Sequence, residues 1–153
     1  MAPAQFAQLP IESGHTRPRA QVYYDLLHSL RQTPLPGWES VQRLADARRG
    51  DLLAWKRAAL VEGKGDTGHV VIVAGPPATE SDGTVRVEVY DSSASRHDFD
   101  SRAEGTNGVG QGVITFRVDS RGEPIAVRFN AGADFKKKPI AIGRLAAGER
   151  RST

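Results

Sequence analysis

The 153-residue sequence contains no cysteine, which excludes a disulfide, a thiolate metal ligand and a cysteine nucleophile within it. No apolar run approaches the roughly 18 residues of a membrane-spanning helix. Residues 1–14 also lack the basic and apolar regions of a signal peptide. We therefore expect no membrane span and no export signal, and hence a cytoplasmic location by default or an extracytoplasmic one if a longer native form is exported.

Positive charge is only slightly in excess, with a formal net charge of +3 and a pI near 9.5. The dense spots are the run Lys136-Lys137-Lys138 and the pair Arg48-Arg49. No aromatic residues alternate with these cations to stack on bases. The pattern favours a solvated surface over a nucleic-acid site, with a protein-binding edge at residues 136–138 as a further alternative.

Sixteen glycines and nine prolines indicate many turns and short elements. Apolar spacing predicts a helix over 18–32 and a short helix over 38–47, within a single domain at 18–145. We expect residues 1–17 to form an irregular arm, 92–112 a long loop and 146–153 a frayed tail. Strands are predicted at 52–55, 70–73, 85–90, 113–118, 125–129 and 140–142. The predicted fold class is α+β, with N-terminal helices packed on an antiparallel sheet or half-barrel of about five to six strands.

Two titratable residues lie at the ends of neighbouring predicted strands. His69 precedes the apolar run 70–73, and Asp91 follows the alternating strand 85–90. If Val73 pairs with Val87, the same register places His69 opposite Asp91, with Cβ atoms ~4.5–5.5 Å apart. Asp91 shares the parity of the inward-facing valines, where an unpaired carboxylate is costly. The pair fits the base and orienter of a nucleophilic hydrolase, and a structural His–Asp pair joining two strand ends remains an alternative.

Other chemical patterns in the sequence are less specific. The run His97-Asp98-Phe99-Asp100 offers one histidine and carboxylates without a second histidine or ligand spacing, so we predict no metal site. The glycines of 105–112 lack the Gly-Lys-Ser/Thr ending of a phosphate-binding loop. We therefore predict no cofactor.

The tryptophans and serines also have ordinary explanations. Trp38 and Trp55 are expected in the core or in a cleft wall rather than as ligand platforms. Ser92, Ser93 and Ser95 follow Asp91 without a nucleophile elbow, and turn chemistry accounts for them better.

Three motifs, taken in their order along the chain, carry a resemblance to a known protein family over residues 18–145. They are Gly50-Asp51-Leu52-Leu53-Ala54-Trp55, Gly68-His69-Val70-Val71-Ile72-Val73 and Val89-Tyr90-Asp91-Ser92-Ser93. Together with a helix start at Arg17-Pro18-Arg19-Ala20, this order resembles the NlpC-type cell-wall peptidases, which are papain-like cysteine hydrolases.

The resemblance implies that a cysteine at the start of an N-terminal helix attacks an amide, with His69 as its base and Asp91 as the orienter of His69. It implies a cleft near Trp55, Gly68, Ser92 and Ser93, and peptidoglycan stem peptides or related amides as substrates. The expected Cys-Ser-Gly helix would precede Arg17, and the sequence has no cysteine. We therefore expect a truncated or degenerate hydrolase or, alternatively, a non-catalytic module that binds such peptides.

Overall fold

A nine-stranded antiparallel sheet dominates the computed structural model of the protein, which describes residues 6, 9–59 and 66–146. Helix α1 (Ala20–Ser29) precedes the sheet, and a 3₁₀ turn (Leu44–Asp46) follows the first strand. Strands account for 38% of the described residues and helices for 11%. The strands are β1 (Trp38–Val41), β2 (Leu52–Lys56), β3 (Gly68–Val73), β4 (Ala78–Thr79), β5 (Val85–Ser93), β6 (Gly108–Val118), β7 (Pro124–Arg128), β8 (Lys136–Lys137) and β9 (Ile140–Leu145).

The strand order is β1-β9-β2-β3-β5-β6-β7-β8, and β4 pairs with β5 outside this path. Strand β2 lies deep in the sheet and is buried on both faces. Its Leu52 and Ala54 pack in the cluster under α1, whereas Leu53 and Trp55 belong to the cluster on the opposite face. The sheet therefore separates two apolar layers.

Helix α1 supplies the first layer. Its residues Val22, Tyr24 and Leu27 are buried, and helical spacing of apolar residues predicts this for Val22 and Leu27. The helix packs on β2, β3 and β9. The predicted helix at 18–32 is confirmed in position, although the regular α-helix is shorter at both ends.

The second layer forms because the sheet curls and β7 comes into contact with β9. Phe116 and Ile114 of β6 are fully buried there, together with the inward valines of β5. The alternation predicted for Val85, Val87 and Val89 is confirmed by their burial.

The predicted fold class is wrong. The prediction was an α+β fold with N-terminal helices packed on five to six strands. Among the described residues, only α1 forms a regular α-helix. The protein is instead mainly an antiparallel sheet of nine strands. The helix predicted at 38–47 is instead β1 followed by the 3₁₀ turn. Val41 and Leu44 are buried at helical spacing, but pairing of β1 with β9 decides the conformation. Such a short apolar pattern does not distinguish helix from strand without knowledge of the partner strand.

The predicted loop at 92–112 is also too long. Strand β5 continues to Ser93 and β6 begins at Gly108, which leaves residues 94–107 as the connection. The described part of the arm before α1 contains no strand, and its Glu12 accepts hydrogen bonds from Arg19. The predicted tail lies outside the described residues beyond Ala146. Within the described ranges, no helix has the length and apolarity needed to cross a bilayer.

The Gly50-Asp51 motif is part of the scaffold. The carboxylate of Asp51 is buried and receives two hydrogen bonds of 2.8 Å from Arg144 of β9, at Nε and at Nη2. It also accepts the backbone N–H of Arg48 at 2.8 Å. The motif therefore ties the turn before β2 to β9, away from His69.

Replacing Arg144 with alanine should lower the free energy of unfolding by about 3 kcal/mol, because the carboxylate of Asp51 would stay buried without its cation. Urea denaturation at pH 7 measures the loss. Adding Asp51→Asn should restore part of it, since a neutral amide is less costly to bury. Arg49→Ala, at an exposed position in the same turn, is the matched control. A loss for Arg144→Ala no larger than that of the control would contradict this role.

Candidate functional site

His69 and Asp91 form a direct hydrogen bond. The distance between His69 Nε2 and Asp91 Oδ2 is 2.5 Å. The side chain of Asp91 is fully buried, whereas that of His69 is 19% exposed. The two side chains are therefore in contact, as the sequence predicts. Of the two, His69 is the one that solvent reaches.

The predicted register between their strands is wrong by two residues. Val73 of β3 pairs with Val89 of β5, not with Val87, and Ile72 pairs with Tyr90. A shift of two residues keeps every side chain on the same face of the sheet, whereas a shift of one would reverse the faces. Asp91 therefore still points to the side on which His69 lies, although the two residues are not directly opposite.

A second histidine completes the site. His97 Nε2 lies 2.9 Å from the same Oδ2 atom of Asp91, and its side chain is fully buried. Its ring stacks on Phe129, with centroids 5.2 Å apart and planes 18° apart. The sequence pattern places His97 only in a run that resembles a metal site weakly, and it does not predict this contact. Among the described residues, no group of histidine and carboxylate side chains is arranged to hold a metal ion.

Glycines of β6 make room for this arrangement. Gly110 pairs with Asp91, and Gly112 pairs with Val89. A Cβ atom at Gly112 would lie 2.6 Å from Cβ of His97, and one at Gly110 would lie 2.7 Å from Cγ of Arg102. The glycines of β6 thus let the side chains of His97 and Arg102 lie across this strand. The glycine-rich segment is the sequence signal that could have pointed to His97.

Arg102 holds the connection 94–107 in place. It forms an ion pair of 2.7 Å with Asp100, and its guanidinium also donates to the backbone carbonyls of Ser93 and Gly108. The hydrogen bonds from Arg102 outweigh burial and hold the pKa of Asp100 well below its usual range. Because Asp100 also accepts the backbone N–H of His97, the loop fixes the position of that histidine.

The charge state of Asp91 follows from opposing effects. Burial raises the pKa of Asp91, but hydrogen bonds from His69 and His97 outweigh it and bring the pKa to about 2. An ionised carboxylate only accepts hydrogen bonds, so both imidazoles donate through Nε2–H. In the neutral ring, Nδ1 of His69 is then left with a free lone pair, and it has no hydrogen-bond partner among the described residues.

Two clefts meet at His69. The basic cleft, of about 410 Å³, is lined by Trp55, Arg57, Asp66, Ser93, Lys136 and Lys138. The apolar cleft, of about 490 Å³, is lined by Phe6, Ala20, Tyr23, Leu52, Val70 and Ile72. Gly68, His69 and Ser92 line both. All four residues expected in a cleft (Trp55, Gly68, Ser92 and Ser93) therefore lie beside His69.

Gly68 is required by close backbone packing. It has a φ of +144°, and a Cβ atom there would lie only 1.9 Å from the carbonyl oxygen of Trp55. No other residue type fits without moving β2 or β3. Because His69 is the next residue, this constraint also fixes the backbone from which the imidazole extends.

Within the described part of the chain, no nucleophile contacts the imidazole of His69. The sequence has no cysteine, and no hydroxyl group of the described residues hydrogen-bonds to His69. The residues of α1 and its approach that line the apolar cleft are Arg17, Pro18, Ala20 and Tyr23. The arrangement can accept a proton or a hydrogen bond at Nδ1 of His69, but it holds no thiol for that nitrogen to activate.

Comparison of the chain with models of protein families, with curated proteins and with solved structures finds no match.

Asp91→Asn should change the pH dependence of stability. Because the pKa of Asp91 is lower in the folded protein than its ordinary 3.8, its ionisation stabilises the fold above pH 4, and this contribution is lost as the pH falls toward 2. The contribution amounts to about 2 kcal/mol. Urea denaturation at pH 6 and pH 2 should show a difference between wild type and Asp91→Asn that shrinks by about this amount. A difference independent of pH would contradict the assignment.

Proposed function

We propose that the protein is a degenerate cysteine hydrolase of the NlpC type that binds a peptidoglycan peptide or a related amide without cleaving it. The observation that carries this proposal is the His69–Asp91 hydrogen bond at an open cleft in a chain without a thiol. The base and its orienter are in contact, and the group that they would activate is missing.

The absence of cysteine from the sequence supports binding without turnover. In hydrolases that act through a covalent intermediate, removal of the nucleophile lowers kcat by roughly a millionfold. The residual rate comes from binding and electrostatic stabilisation alone. A cleft that keeps the other elements is consequently better suited to holding an amide than to breaking it.

The hydrogen-bonding pattern of His69 supports amide binding. With Nε2–H donated to Asp91, the neutral ring presents Nδ1 as an acceptor, and an amide N–H is a matching donor. Ser92 and Ser93 line the basic cleft beside this ring and carry hydroxyl groups that can donate or accept. A peptide bond lying across His69 would thus find partners for both its N–H and its carbonyl group.

A titration with a soluble muropeptide, a disaccharide that carries a stem peptide, tests the proposal. The ¹H–¹³C NMR signal of the His69 ring should shift in a saturable manner, while mass spectrometry of the same sample should show intact ligand. His69→Gln should weaken binding roughly tenfold, the equivalent of one hydrogen bond. His28→Gln, on the exposed side of α1, is the matched control. No shift would rule out binding, and cleaved ligand would rule out a non-catalytic role.

A cysteine introduced at residue 20 tests whether His69 can still activate a thiol. Ala20 is the first residue of α1 and lines the apolar cleft with His69. A thiol at a helix N-terminus near an imidazole has a lowered pKa. Ala20→Cys should therefore react with iodoacetamide at pH 7 roughly five to ten times faster than Ser29→Cys at the other end of the helix.

The absence of native cysteine makes each variant a single-site probe. Adding His69→Gln to Ala20→Cys should remove most of the rate advantage, because Gln does not take up the thiol proton. Equal alkylation rates for Ala20→Cys with and without His69 would show that the ring does not activate a thiol at the start of α1.

A further inference from the structure

His69 lines two chemically different clefts, which open on the two faces of the sheet beyond the point where the pairing of β3 with β5 ends at Ile72–Tyr90. On one side, Lys136 and Lys138 line the basic cleft, and on the other, Tyr23, Val70 and Ile72 line the apolar cleft. Each volume falls within the range of about 300–1,000 Å³ that is typical of small-molecule sites. A ligand held at His69 would therefore extend into two different environments.

The described lining of the basic cleft has more cations than carboxylates. The guanidinium of Arg57 forms an ion pair with Asp66, so these two charges neutralise each other. Asp66 is the one carboxylate among the described residues of the lining. Lys136 and Lys138 have no carboxylate within ion-pair distance among the described residues. Lys138 is close enough to contribute to the lowered pKa of Asp66, although the hydrogen bond from Arg57 is the larger cause. This side favours an anionic group.

The run of three lysines is divided by the geometry of the chain. Lys136 and Lys138 line the basic cleft, whereas Lys137 between them does not. Residues that alternate along an extended segment point to opposite sides. Two of the three charges are thus directed toward the site, and the third provides a control for net charge.

The apolar cleft presents exposed hydrocarbon surface. Ile72 is 45% exposed although it belongs to an interior strand of the sheet. Tyr23 forms an adjoining wall and contacts Phe6, with ring centroids 6.4 Å apart. Among the described residues of this lining, Arg17 is the one arginine, and there is no lysine, aspartate or glutamate. Burial of Ile72 and Tyr23 against an acyl chain or apolar side chain would be favourable.

We propose that the ligand is an amide with an apolar acyl group on one side and a carboxylate on the other, as in an N-acyl amino acid or an apolar–acidic peptide. The acyl group occupies the apolar cleft, the amide N–H donates to Nδ1 of His69, and the carboxylate lies against Lys136 and Lys138. This inference rests on the proposed amide-binding function and names its ligand class.

Three small amides separate the two contributions. Isothermal titration calorimetry, with the His69 ring signal as the site-specific readout, compares N-hexanoylglycine, neutral N-hexanoylglycinamide and N-acetylglycine. N-Hexanoylglycine should bind at least tenfold more tightly than either of the others, because one lacks the charge and the other most of the apolar group. Equal affinities for N-hexanoylglycine and its glycinamide, or no binding of N-hexanoylglycine at millimolar concentration, would overturn the proposal.

Matched variants locate each end of the ligand. Lys136→Gln with Lys138→Gln should abolish the preference for the carboxylate, whereas Lys137→Gln, which changes net charge without lining the cleft, should retain it. Ile72→Ser, at a half-exposed position, should weaken N-hexanoylglycine severalfold and leave N-acetylglycine unchanged. Equal effects of the double variant and of Lys137→Gln would overturn the assignment of the carboxylate. If the muropeptide shifts the His69 signal and N-hexanoylglycine does not, only this inference fails. If neither ligand shifts the signal, the proposed function is overturned too.

Discussion

The buried carboxylate of Asp91 is the constraint on which the candidate site depends. A negative charge without solvent contact is tolerated only when donors surround it, and Oδ2 of Asp91 receives two, from His69 on β3 and from His97 in the connection after β5. These donors come from parts of the chain that share no local sequence pattern. One ionised group thereby holds a strand end, a loop and the orientation of a solvent-accessible imidazole in a single arrangement.

The sequence was sufficient for one of these contacts because of strand periodicity. The parity of Asp91 with Val85, Val87 and Val89 predicted the face of the sheet to which Asp91 points, and the position of His69 beside the apolar run 70–73 predicted that His69 is its neighbour. An error of two residues in register therefore left the conclusion intact. His97 could not be found in this way, since it reaches Asp91 from an irregular segment. The meaning of Gly110 and Gly112 emerges only once their pairing with β5 is known.

The fold class was harder to predict for a related reason. Segment 38–41 becomes a strand by pairing with β9, about a hundred residues later in the sequence, and no local pattern shows that partner. The Gly50-Asp51 motif likewise did not show its role locally, because the carboxylate of Asp51 is bound to Arg144 of β9 and stabilises the scaffold. A resemblance carried by three short motifs therefore mixes residues of the site with residues that only stabilise the sheet.

Arg102 divides the connection between β5 and β6 into two parts with different freedom to vary. Its guanidinium bridges the carbonyl groups of Ser93 and Gly108, so the ends of the connection are joined before the chain reaches its outermost residues. Residues 103–107 are exposed and lie beyond this bridge. Changes of length or composition there are mechanically separated from Asp91 and His97. The loop therefore combines an exposed tip, which makes no contact with the site, with a base that Arg102 holds in place around the carboxylate.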